Sequence, residues 1–226
     1  MQLTEVSMLG LRSSVTTFRH RSAALRFVVI PVVHIGRPDY YRRIAQLIAG
    51  SHVVIAEQYD GPSSTGLAYL TAMRLSRQRH SRGLVHQDID YAALGVPVIW
   101  PDGETLPGRR ARIPLAGWLD LILLVPVLTF TMAVGGRDYL LRRGLEISDD
   151  TDPRLRTKFF QRIMLDERDE LLTAAITTLH TERADEPIEI AIVYGAAHMP
   201  AVVRTLTGGL GYRPQRGGEW LLAFDF

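Results

Sequence analysis

The sequence predicts an α/β fold: one domain over residues 1–226, with a mixed or parallel sheet flanked by helices. Three observations carry that expectation. In the first quarter, an apolar run from Phe27 to Val33, a proline-started amphipathic stretch and a second apolar run from Val53 to Ala56 succeed one another. A crossover of that length joins parallel strands rather than a hairpin. Near the end, Ile188-Glu-Ile-Ala-Ile-Val-Tyr194 runs into Gly195 and then Pro200, again strand to helix. Finally, 226 residues with 46% hydrophobic content suffice for a single α/β unit around a buried core.

Taken in order, the opening residues to about Ala24 read as a strand or an irregular lead-in. The strand over 27–33 is rich in β-branched residues, and Pro31 within it lacks a ladder donor, which favours an edge, a bulge or the strand's end. Pro38 suits the first helical position, so a helix over 39–49 follows, with Ile44, Leu47 and Ile48 on one face and Gly50 as its stop. Val53 to Ala56 is the next strand. Residues 61–66 form a loop, a helix is predicted over 67–77, and Val96-Pro-Val-Ile-Trp100 is a third short strand. A long helix should start at Asp152-Pro153 and run to about Thr181, with an apolar stripe of Phe160, Met164, Leu171, Leu172, Ala175 and Leu179. Arg168 falls on that stripe, so its guanidinium must be paired or face a cavity. A strand over 189–194, a short helix over 200–206 and a closing strand over 220–224 complete the chain.

Residues 115–134 are the most apolar stretch, and the uninterrupted core, 121–134, falls short of the ~20 residues that span a bilayer. Asp120, Pro126 and two threonines also weigh against a span. The segment is expected instead to be a buried helix pair or an interaction surface through which the chain could form a homo-oligomer.

Absences narrow the chemistry. There is no cysteine, hence no thiol nucleophile, disulfide or cysteine-based metal site. Lys158 is the sole lysine and sits in no glycine-rich loop, so a P-loop is excluded. No Gly-x-Ser-x-Gly elbow marks a hydrolase serine. Net charge is only +2, so a nucleic-acid partner is not expected. No basic-then-apolar leader opens the chain, and the expected location is cytoplasmic.

What remains is a set of polar residues at strand ends. His34 follows the first apolar run, Glu57 ends the second, and His198 follows Gly195-Ala-Ala. In an open α/β sheet the crevice beyond the strands' carboxyl ends is where ligands bind, so these three point to one assembled site. Two histidines and a glutamate form a common divalent-ion set with room for water, and Zn, Mn, Co or Fe would each be accommodated. Asp102, Tyr40 and Gly195 are further candidates for contact with a substrate; Tyr40 and Tyr41 open a helix with one facing the crevice and the other the core. His86 has no such placement and reads as structural.

In order, His34-Ile-Gly36 with Tyr40 downstream, Val-Ile-Ala-Glu57, Arg168 in Asp-Glu-Arg-Asp-Glu170, and Val-Tyr-Gly195-Ala-Ala-His198 resemble the TraB/PrgY/GumN family. That family is grouped with the Tiki metalloproteases and is more distantly similar to erythromycin esterases and haem-binding ChaN proteins. The resemblance covers about 26–213. It implies a metal-dependent hydrolase of peptide or ester bonds, with His34, Glu57 and His198 on a divalent ion (Mn, Co or Zn). Glu57 could serve instead as general base, and Arg168 would steady an oxyanion or a substrate carboxylate. Some members are described as proteases and others as inhibitors of peptide pheromones. The chain departs from the pattern twice: Pro31 stands where the first Gly-x-x-His motif has glycine, and Asp169 follows Arg168 where the family often has Asn. The alternative is a non-catalytic module that sequesters a peptide, haem or another small ligand.

Overall fold

The computed structural model of the chain describes residues 1–7, 10–57, 84–87, 89–101, 122, 125–127, 130 and 167–225. The loop over 61–66, the helix over 67–77, Asp102, most of 115–134 and the start of the long helix lie outside the described residues.

An α/β architecture is observed. Strands β1 (Thr4–Ser7), β2 (Gly10–Arg19), β3 (Arg26–Val32), β5 (Val53–Ala56), β7 (Val98–Ile99), β8 (Glu189–Gly195), β9 (Arg213–Pro214) and β10 (Glu219–Asp225) form one eight-stranded mixed sheet. Its order is β1-β2-β3-β8-β5-β7, with β9 and β10 also paired to β2. The centre is parallel: β8 lies between β3 and β5, in register Val32↔Gly195 on one side and Ala56↔Val193 on the other. All three central strands are buried along nearly their whole length. Strands covered on both faces read as continuous apolar runs, which is why they show so plainly in the sequence. A second, two-stranded piece pairs β4 (Ile35–Gly36) with β6 (Val85–His86).

The helices cover the two faces. Helix α1 (Pro38–Ile48) has proline in its first turn, and buries Tyr40, Tyr41, Ile44 and Ile48 at helical spacing against Ile30, Val32, Val54 and Val193. On the other face, α2 (Glu167–Arg183) and α3 (Met199–Arg204) pack Leu172, Ile176, Met199 and Val202 onto Phe27, Val29, Ile55 and Ile192.

Some expectations are met here and others corrected. The lead-in contains two strands, and β2 is ten residues long with a central place in the sheet. Pro31 is the penultimate residue of β3, beyond the four residues, Arg26 to Val29, that β2 pairs, so its missing donor costs no bond to β2. The stripe of α2 is Leu172, Ile176 and Leu179, while Leu171 is 47% exposed. Ile122, Val127 and Phe130 are likewise exposed, which overturns burial of that apolar segment at these positions. Among the described residues no helix is long and apolar enough to cross a membrane.

Gly10 opens β2 at φ 142°, a backbone conformation reserved for glycine. A methyl group there would run into the Phe224 carbonyl on β10. Gly10→Ala is therefore expected to destabilise the fold by about 2 kcal/mol or more, read as an earlier urea midpoint with unchanged slope.

Candidate functional site

The parallel centre of the sheet brings three side chains to one place. His34 comes two residues after β3, Glu57 directly after β5, and His198 at the end of a 3₁₀ turn (Ala196–His198) that follows β8. Because β3, β8 and β5 are neighbours running the same way, their carboxyl ends open side by side. Gly195 is the meeting point. A β-carbon placed there would stand 3.0 Å from Glu57 Oε2, 3.5 Å from His34 Nε2 and 3.7 Å from His198 Cδ2. Glycine at this position is what lets the three approach.

Glu57 is buried, 5% exposed, and held at both oxygens. Gly195 N–H donates to Oε2 at 2.7 Å, and Arg168 Nη1 lies 3.0 Å from Oε1. His198 Nε2 is 3.7 Å from the same Oε1, close enough to act as a charge but beyond a hydrogen bond. Burial works to raise the Glu57 carboxyl, but His198, His34 and Arg168 outweigh it and hold the group down at about 2. Glu57 is therefore an anion at any physiological pH.

His198 is itself buried, 4% exposed, and contacts Tyr194 edge-on. Its Nδ1 meets Asp169 Oδ1 at 2.7 Å. Burial would lower its basicity; Asp169 and Glu57 on its two sides overcome that and push it up to about 9. His198 is thus an imidazolium near neutrality, bracketed by carboxylates. His34 has different company: Nδ1 faces Gln87 Oε1 at 3.0 Å, and Gln87 N–H donates to the His34 carbonyl at 2.8 Å.

Arg168 enters the site one turn before Leu172 on α2, and Asp169 enters beside it, three residues before Leu172 and seven before Ile176. The helical spacing puts both on the face that packs on the sheet. Asp169 was visible in the sequence only as a departure from the family's pattern; its placement relative to Leu172 and Ile176 is the signal that could have promoted it. Gln87 and Tyr91 had no such signal. Tyr91 packs edge-on against Trp100, and its buried hydroxyl has no hydrogen-bond partner among the described residues. Burial, then the nearby Glu57 charge, pushes that hydroxyl away from ionisation.

Tyr40 does not join the site. It is 2% exposed, and its hydroxyl donates to the Pro31 carbonyl at 3.0 Å and pairs with Ser13. Tyr41 is spent in the same way on the Val33 carbonyl. Both rings fill core, so the expectation of one facing the crevice is corrected. Asp102 lies outside the described residues, and of His86 only the backbone pairing with Ile35 is described.

The expected divalent ion can be weighed against these contacts. The two Nδ1 atoms sit on acceptors, as in metal-bound histidines. Against that, Glu57 has both oxygens on protein donors. Among the described residues no three His, Asp or Glu side chains are grouped so as to hold an ion. As arranged, the donors do not fit a resident metal.

Compared with family models, with curated proteins and with solved structures, the chain matches none.

Proposed function

We propose that this chain hydrolyses a peptide or ester bond, with the two imidazoles in complementary roles. The observation that carries this is their different surroundings at one glycine. Gln87 presents an amide oxygen to His34 Nδ1, whereas His198 is flanked by Asp169 and Glu57. An imidazole whose Nδ1 faces a neutral amide oxygen is suited to accept a proton at Nε2, and one between two carboxylates to donate one.

On this assignment His34 Nε2 takes a proton from water as the water oxygen attacks the carbonyl carbon. His198 then delivers its Nε2 proton to the departing nitrogen or oxygen, and the carbon–nitrogen or carbon–oxygen bond breaks. Products are a carboxylic acid and an amine or alcohol. Glu57 keeps His198 charged, while Arg168 and the imidazolium add positive charge for the oxyanion that develops. The activity class is the one implied by the resemblance to the TraB/PrgY/GumN family, without its metal.

The test is turnover of a panel of fluorogenic peptides and nitrophenyl esters by chelator-dialysed protein. Hydrolysis is expected without added metal, and loss of roughly 100-fold or more in His34→Ala and in His198→Ala. Unchanged turnover in His198→Ala would sink the assignment. Turnover that appears only with Mn, Co or Zn, together with stoichiometric bound metal, would restore the metal-centred mechanism.

One observation favours a non-catalytic module: Glu57 and the His198 Nδ1 are already satisfied by protein partners. Sequestration would show as saturable binding with the peptide recovered intact, or as a haem Soret band lost in a histidine variant.

A further inference from the structure

We propose that Gln87 is the positioning residue of His34, fixing the ring proton on Nδ1 so that the lone pair stays on Nε2, toward Gly195. The functional consequence rests on the hydrolase proposal, in which Nε2 is the base. Gln87 grips His34 twice. Its side-chain Oε1 lies 3.0 Å from Nδ1, and its main-chain N–H donates to the His34 carbonyl at 2.8 Å. The intervening register is set by the β4–β6 ladder, Ile35↔His86 and Gly36↔Val85, so the side chain cannot slide relative to the ring. The short ladder thus has a use beyond closing a loop.

An amide oxygen only accepts, so the ring nitrogen facing it must carry hydrogen, and the neutral imidazole then has its lone pair at the other nitrogen. Were the amide reversed, Nδ1 would accept from the amide nitrogen and Nε2 would present a proton. His34 could not then act as a base at Gly195. The structure sets the amide oxygen, not the amide nitrogen, against the ring, with Gln87 Oε1 3.0 Å from His34 Nδ1. Gln87 touches no reacting atom in this scheme; it acts through His34.

Ring-nitrogen magnetic resonance of the ¹⁵N-labelled full chain reads the tautomer directly, with His34 identified by its loss in His34→Gln. In the wild type the neutral ring should show a protonated Nδ1 and a bare Nε2. Gln87→Leu should shift it to a mixture of both tautomers and lower kcat roughly 10- to 100-fold, with KM held and the melting temperature little changed. Gln87→Glu keeps an acceptor at that point and should restore the Nδ1–H form, which also guards against a general folding defect in the leucine variant. A protonated Nε2 in the wild type, or a tautomer indifferent to Gln87→Leu, would overturn the proposal. Should the wild type hydrolyse nothing while the tautomers behave as stated, the hydrolase assignment fails and the positioning of His34 by Gln87 stands.

Discussion

Glu57→Ala should lower the unfolding free energy by about 3–5 kcal/mol, the usual cost of breaking a buried ion pair by removing one partner. The substitution strips Arg168 and the His198 imidazolium of the anion between them and leaves the Gly195 N–H without its acceptor. At roughly 2–4 °C per kcal/mol for a chain of this size, the melting temperature should fall by about 10 °C. Glu57→Gln keeps an acceptor for Gly195 and should recover part of the loss. Arg168→Lys is the companion that separates structure from function. Lysine keeps the positive charge near Oε1 but not the planar fork, so stability should change little while hydrolysis drops by at least tenfold. A large melting drop in Arg168→Lys with normal activity in the folded fraction would make Arg168 a structural partner of Glu57 and nothing more.

The parts of this molecule that were legible in the sequence share a physical cause. β3, β5 and β8 are covered on both faces, so their burial appears as unbroken apolar runs, and the polar residue that ends each run stands out. Strand β2 is the opposite case. Ser13, Ser14 and Thr16 are buried in it, Ser13 on the Tyr40 hydroxyl and Ser14 on Thr16, and a strand that satisfies its polar side chains internally looks like a loop from sequence. Arg168 is legible from its helical phase, although the stripe read from the sequence includes the exposed Leu171 and omits the buried Ile176. Gln87 could not be found this way. Its role depends on a ladder of two residues per strand joining points about 50 residues apart, and nothing in Leu84-Val-His-Gln87 announces that pairing.

Stability should also depend on pH through the same cluster, with a plateau between about pH 4.5 and 6.5 and a fall on either side. On the alkaline side the group is His198, whose folded-state value is raised from 6.5 to about 9. A raised value means the folded protein holds this proton more tightly than the unfolded chain. Its contribution is complete below about 6.5 and is lost as pH climbs through 9. On the acid side Glu57, lowered from 4.5 to about 2, contributes fully above 4.5 and loses that contribution as pH falls through 2. Each shift of one unit is worth about 1.4 kcal/mol, so the alkaline limb alone should amount to roughly 3 kcal/mol. Urea melts at pH 6 and pH 9 measure it, and His198→Gln isolates it from the other histidines, since the variant should lose far less stability over that interval than the wild type. Asp169→Asn should shorten the limb as well, because the carboxylate on Nδ1 is one of the two that hold the proton. Equal losses in wild type and His198→Gln would show that His198 is not the charged, carboxylate-bracketed imidazolium on which the acid role depends.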